Sequence, residues 1–397
     1  MEEWKEYRLS DLCDILGGGT PKTSEPQYWG GKIPWLSVKD FGSENKYVYK
    51  TEKSITMDGF NHCPSKMLEK DDIIISARGT VGAMAMILFP MSFNQSCFGL
   101  RGNKLVDKHF LYYLVHTKVK ELKGNSHGSV FDTITRNTFD NIICRIPPFD
   151  TQQKIAAVLS FLDDKIELNR KINSNLEEQA KALFKSWFID FEPFKGGKFV
   201  DSELGMIPEG WKVLSLDEIA DYLNGLAMQK FRPTAEEDHL PVLKIKELGQ
   251  GYCDGSCDIC SSNVPSQYIV NDGDVIFSWS GTLMVDVWCG GRCGLNQHLF
   301  KVTSKEYPKW FYLMWTLEHL NRFIHIAKDK AVTMGHIKRE ELHKAKVVVP
   351  STVAMNKANM IFAPIVNEMI NTRISNRKLS AVRDTLLPKL MSGEIDV

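Results

Sequence analysis

The chain has 397 residues, 43% hydrophobic and 25% charged, and its 49 basic residues are balanced by 49 acidic ones. That length suits two or three ordinary domains, and the neutral sum excludes a globally basic field, so any phosphate contact must come from local patches. No apolar run approaches the ~18 residues of a membrane span, the start MEEWKEYRLS has no apolar signal core, and an odd count of nine cysteines reads as reduced thiols, all of which points to the cytoplasm.

In chain order, the first block covers residues 1–146. "LSDLCDIL" (9–16) leads into "GGGTPKT" (17–23). That glycine run lacks the order of a phosphate-binding loop and reads as a turn. "IPWLSVKDFG" (33–42), "DIIISARGT" (72–80) and Asn94-Gln95 follow. The block ends at Ile146-Pro147-Pro148-Phe149, which looks like the [Asn/Asp]-Pro-Pro-aromatic loop that adenine methyltransferases close on the target amine. Ile146 has no polar side chain to hold an amine, so the prolines read instead as the stop before a helix.

After Pro147, apolar residues recur in 4,3 steps: Ile155, Leu159, Leu162 and Ile166, then polar Asn169 and Asn173, then Leu176, Ala180, Leu183 and Trp187. This is a coiled-coil seam with a polar middle, which fixes register. It predicts a helix from about 151 to 188, capped by Asp150 or Thr151 and roughly 55 Å long. Residues 147–200 are therefore a long central helix and its linker, "FEPFKGGKF" (191–199).

Residues 201–349 repeat the first block. Trp4-Lys5 returns as Trp211-Lys212, "LSDLCDIL" as "LDEIADYL" and "IPWLSVKDFG" as "LPVLKIKELG", all at an offset of 207. "DIIISARGT" returns as "DVIFSWSGT", and Asn94-Gln95 as Asn296-Gln297, at 202. Adding 203 to the seam gives Ala358, Phe362, Ile365, Met369, Thr372, Asn376, Leu379, Arg383, Leu386 and Leu390. Residues 350–397 thus form a second long helix, capped by Ser351 or Thr352, with Pro364 expected to kink it. The predicted architecture is α+β. Two similar mixed α/β domains are separated by two long helices that pair as an antiparallel coiled coil, with a pseudo-twofold internal repeat. The first block carries a net +2 and the second a net −4.

Several stretches carry a family signature: "IPPFDTQQKIAAVLSFLDDKIELNRKIN", "LFKSWFIDFEPF", "SELGMIPEGWKV", "LLPKLMSGEI", "GGGTPKT", "SARGTVG" and "NQHLFKV". They resemble the specificity subunit of type I restriction–modification enzymes over essentially the whole chain. The resemblance implies a DNA-binding subunit without catalysis. Each block would be a target-recognition domain reading one half of a bipartite, asymmetric double-stranded DNA target. The helices would set the spacing and dock two modification (methyltransferase) subunits. No cofactor is expected on this chain. S-adenosylmethionine, ATP and Mg are expected on the partners, which include restriction (endonuclease/translocase) subunits. The alternatives are an adenine methyltransferase or nuclease with built-in recognition domains, and a coiled-coil protein whose domains bind protein.

Two domains that read different half-sites should share scaffold and phosphate contacts and differ where bases are read. Lys39/Lys246 and Arg136/Arg339 recur and are phosphate candidates. Gly79-Thr80/Gly281-Thr282 and the Asn-Gln pairs read as turns and caps. In diverging segments the base-reading candidates are Lys22, Asn45, Lys46, Tyr47, Arg78, Arg101, Lys123, Asn125 and His127 in the first block. In the second block they are Gln229, Lys230, Arg232, Lys328, Lys330 and His336. Arg78 faces Ser280 in an otherwise shared turn, which makes it the leading candidate. Cys253, Cys257 and Cys260, with Cys289 or Cys293 further on, could supply four thiolates to zinc, but the first block has no counterpart and no metal is expected.

Overall fold

Four consecutive residues, Ile73-Ile74-Ile75-Ser76, are buried on both faces of one strand, as is the repeat copy Val275–Ser278. Each is the middle of a sheet, and the rest of each domain is built around it. The computed structural model describes residues 4–41, 45–124, 133–329 and 336–397. It divides into two compact units, Met1–Glu167 with Leu379–Val397, and Leu168–Lys378.

In the first unit, Ile73–Ser76 lies between Cys97–Gly102 and Met84–Ile87 in a five-stranded sheet edged by Cys13–Gly17 and Tyr47–Val48. A second sheet sets Trp29–Leu36 between Lys53–Ile55 and Ser92–Phe93. Strand Lys5–Arg8 pairs with Ile143–Ile146, so the domain closes on itself. In the second unit Val275–Ser278 holds the same place between Leu299–Thr303 and Met284–Val287. Its second sheet centres on His239–Leu243 and Cys293–Leu295. The parallel pairing of Trp35-Leu36 with Ser92-Phe93 recurs as Val242-Leu243 with Gly294-Leu295, so the sheets are mixed in both copies.

The central helix runs Phe149–Phe184 and ends in a π-helical turn, Lys185–Ile189. It starts two residues earlier than its capping signals suggest, because the Gln152 amide already bonds the Pro148 carbonyl. The C-terminal helix runs Thr352–Ser392 without a break at Pro364, whose side chain is exposed. The Ser351 hydroxyl accepts the Ala354 amide at its start, 3.4 Å away.

None of the predicted seam residues is exposed. The pairing is antiparallel. In the second unit Asn169 bonds Asn376 at 2.7 Å and Thr372 bonds Asn173 at 2.7 Å. In the first, Arg383 reaches Asp163 at 2.8 Å. The polar middle is thus a set of satisfied pairs, and a slip of either helix would strand several of them at once.

The "LFKSWFIDFEPF" stretch ends the central helix in an aromatic cluster of the second unit. Phe188 is fully buried among Trp211, Trp310 and Phe362, and Trp310 stacks on Phe362 at 4.6 Å between ring centres. Phe191 then turns the chain with a left-handed backbone, φ 53°, held by its ring against Trp211. In the first unit Trp4, the repeat partner of Trp211, packs against Gly393 at the end of the C-terminal helix. Each globular part therefore begins where a long helix ends. Among the described residues, no helix is long and apolar enough to cross a membrane.

Candidate nucleic-acid interface

The turn that carries Arg78 is built alike in both copies, with one added bond in the second, from the Ser278 hydroxyl to the Thr282 carbonyl at 2.8 Å. The Ser76 hydroxyl bonds the carbonyl of residue 78 at 3.0 Å, and Ser278 bonds that of residue 280 at 3.2 Å. Gly79 (φ 78°) and Gly281 (φ 64°) follow with left-handed backbones that favour glycine. The Ile134 amide bonds the Ala77 carbonyl, and Ile337 bonds Trp279 in the same way. Beneath each turn, Asn94 and Asn296 cap their own loops by accepting the amides of Ser96 and His298. Gly18 and Gly225 explain the one glycine shared by their loops: a Cβ there would lie 2.0 and 2.2 Å from the Asn94 and Asn296 carbonyl oxygens. These recurring residues build the turn and its caps in each copy.

The side chains on that framework differ. Arg78 is exposed, and among the described residues no hydrogen bond or ion pair engages its guanidinium. Ser280 is buried, 6% exposed, with its hydroxyl 3.1 Å from His298 Nδ1. Around Arg78 opens a cleft of about 610 Å³, lined also by Trp35, Ser37, Lys39, Glu52, Lys53, Thr80 and Asn94. Three cations and one carboxylate share its walls. Lys39 and Arg78, singled out from sequence, are thus brought together.

Lys53 and Glu52 were missed because the repeat offset changes between them and the nearest matched block. Strand register recovers it. Pro34 faces Ser54, and its copy Pro241 faces Ile259. The offset here is therefore 205, and Lys53 corresponds to Asp258. Ser37, at offset 207, corresponds to Lys244. In the first unit Lys53 lies over the Trp29 ring, 5.7 Å from its centre. In the second, Lys244 and Asp258 are ion-paired, and the paired lysine depresses the Asp258 carboxyl.

The other candidates scatter. Arg101 is held by Asp72 at 2.7 Å, by Glu69 and by the Met67 carbonyl. The hydrogen bonds it donates to Asp72 raise its already high pKa, and these partners occupy its guanidinium. Lys46 is 3% exposed. Its ammonium bonds Tyr113 Oη and Ser160 Oγ, and burial pushes it below the ordinary lysine range against the pull of Asp163, Asp164 and Glu167. It anchors its segment to the central helix and is corrected from reader to scaffold. Tyr47 bonds Asp164. Lys123 packs across Gly82.

Lys22 is exposed beside Trp29, whose indole bonds the Lys22 carbonyl. Arg136 is exposed, with Nη2 near Gly17. Its copy Arg339 donates to the Tyr222 carbonyl at 2.7 Å and lies over the Phe300 ring. Lys246 sits 3.6 Å from Asp254. Gln229, Lys230 and Arg232 are exposed on and just after the short turn Met228–Lys230. Asn45 is partly buried and Lys328 and His336 are exposed. Asn125, His127 and Lys330 lie outside the described residues.

The cysteines do not gather as first grouped. Cys253 lies within hydrogen-bond reach of Cys257 and Cys293, Cys260 is buried beneath Gly294, and Cys289 bonds the Val287 carbonyl. Among the described residues, no group of three or more metal-ligating side chains is arranged to hold an ion. The methyltransferase look-alike is also structural: Ile146 is a buried strand residue paired with Lys5, and the Pro147 carbonyl accepts Gln152 Nε2.

With this geometry in place, comparison with known proteins gives a consistent result. The family model described as the type I restriction modification DNA specificity domain matches residues 1–178 and again 208–377. The MjaIX type I restriction enzyme specificity subunit of Methanocaldococcus jannaschii is 31% identical, over 100% of this chain and 94% of that one. The HindI specificity subunit of Haemophilus influenzae is 22% identical over the full length of both. The crystal structure of the type I restriction–modification system S subunit from M. genitalium shares the fold. Its TM-score is 0.55 at 16% identity, covering 98% of this chain and 96% of that chain.

Proposed function

Because the chain belongs to the type I restriction modification DNA specificity family, we propose that it is the non-catalytic DNA-recognition subunit of a cytoplasmic type I restriction–modification complex. Each repeat copy reads one half of a bipartite, asymmetric duplex target. One observation carries this reading: the same turn framework presents Arg78 to solvent in one copy and a sealed Ser280 in the other. Shared framework with divergent exposed chemistry is what two readers of different sequences require.

In this reading the helices dock two modification subunits, which bring S-adenosylmethionine. Restriction subunits with ATP and Mg complete the complex. The helices offer apolar surface outside their seam. Val158 and Phe161 are exposed, Phe161 by 72%, as are Val353 and Met360 on the C-terminal helix, Met360 by 78%. The buried Ile146, set where a methyltransferase would place its amine-holding residue, supports the absence of chemistry here.

One assay tests both halves of the proposal. The purified chain is incubated with duplex DNA and labelled S-adenosylmethionine, alone and with its modification subunits. No label should enter DNA from the chain alone, and transfer should appear in the complex. Phe161→Asp with Val158→Asp should abolish assembly and transfer while leaving the circular dichroism of the chain unchanged. Transfer by the chain alone would replace this reading with that of a self-contained methyltransferase, and assembly that survives both substitutions would move the docking surface elsewhere.

A further inference from the structure

The cleft around Arg78 and its counterpart in the second unit allow the half-sites to be assigned some chemistry. The assignment rests on the reading that the globular units bind duplex DNA. We propose that Arg78 reads a guanine in the half-site of the first unit, with Lys39 and Lys53 on flanking phosphates, and that positions 78, 37 and 53 set the specificity of that unit. Their counterparts Ser280, Lys244 and Asp258 make the second unit blind to guanine at the equivalent place.

The argument is one of matched backbone and mismatched side chain. Residues 78 and 280 have their carbonyls fixed by equivalent serines, so the two turns present their side chains from the same framework. An arginine in that position can offer two parallel donors, which match the O6 and N7 acceptors of guanine in the major groove and no other base edge. The guanidinium is available for this: it lines the cleft with Ser37, Lys39, Glu52 and Lys53, and no described residue pairs with it. Arg101 is the contrast, since Asp72 and Glu69 already occupy its donors.

In the second unit three changes remove the same capability together. Ser280 is too short and is bonded to His298. The lysine of the cleft wall, Lys53, becomes Asp258, a reversal of charge. Ser37, which lines the same cleft, becomes Lys244, whose ammonium Asp258 neutralises. What one copy leaves open for a nucleotide, the other closes with an internal ion pair. The repeat of Lys39 follows suit, because Lys246 sits between Asp254 and Glu247.

The test uses the full chain in complex with its modification subunits, with sites read by mapping methylated adenines and affinities measured on the wild-type target. Arg78→Ala should make one guanine position of one half-site degenerate and weaken binding to the wild-type target roughly 5- to 150-fold. The other half-site and the spacer should not change. Arg78→Gln should shift preference at that same position toward adenine, which glutamine reads by paired bonds. Lys39→Ala should instead weaken all sequences alike and flatten the salt dependence by about one phosphate contact. Arg78 is exposed, so these variants fold. If Arg78→Ala weakens binding without making any position degenerate, Arg78 is a phosphate contact and the assignment is wrong; an unchanged motif and affinity also overturns it. A wild-type complex with no sequence-specific sites would instead sink the DNA-reading proposal itself.

Discussion

Replacing Asp163 with alanine is expected to destabilise the first unit by about 3–5 kcal/mol, the cost of breaking a buried ion pair from one side. Asp163 is 5% exposed. It accepts Arg383 Nη1 at 2.8 Å and the Tyr113 hydroxyl at 2.6 Å. Tyr113 in turn accepts the buried Lys46 ammonium. Removing the carboxylate leaves the buried Tyr113 hydroxyl without its acceptor, and leaves Arg383 only its partner Asp384. The loss should appear as a lower midpoint in urea unfolding followed by circular dichroism. Asp163→Leu with Arg383→Met should recover most of it, because apolar residues of similar volume replace such pairs at little cost. A loss under about 1 kcal/mol for the single variant would mean that water already screens the network.

The second large effect concerns the spacing of the half-sites. Four residues inserted between Asn173 and Leu176, matched by four between Met369 and Thr372, add one turn to each helix, about 6 Å. Four residues exceed one turn by only ~40°, so the apolar stripes stay roughly aligned. Asn169–Asn376 and Asn173–Thr372 keep their pairing on one side of the insertion. DNA rises ~3.4 Å per base pair along a strand. The mapped target should therefore keep both half-sites and gain one or at most two spacer pairs. Two-residue insertions at the same places rotate the seam by ~200°. They should unpair the helices and abolish methylation. A spacer unchanged by the four-residue variant would show that something other than these helices sets the distance.

Much of this could be read from sequence because it is periodic. The seam repeats every 3.5 residues through ten positions in each helix, and none of those positions is exposed. The repeat offsets align the two turns by themselves, which sets Arg78 against Ser280. What sequence did not show is pairing at a distance. Lys46 looks like a free loop cation, yet its partners Tyr113 and Ser160 are 67 and 114 residues away. Arg101 is bound to Asp72, 29 residues back. Neither partner is marked by spacing or composition. Lys53 was hidden for a different reason. The offset falls from 207 to 205 through a loop, and only the pairing of Pro34 with Ser54 and of Pro241 with Ile259 shows that Lys53 and Asp258 share one position. The central helix starts early for a local reason: the Pro148 carbonyl accepts the Gln152 amide, so the helix begins before its capping residues.

The central claim is that each globular copy reads its own half of the target. The most direct measurement replaces residues 1–146 with the corresponding domain of a relative, leaves both helices and residues 201–349 in place, and maps methylated adenines in cells that also express the modification subunits. Independent domains on a common pair of helices predict a new sequence in one half-site, with the other half and the spacer unchanged. A change in both halves together, or in neither, would contradict the account.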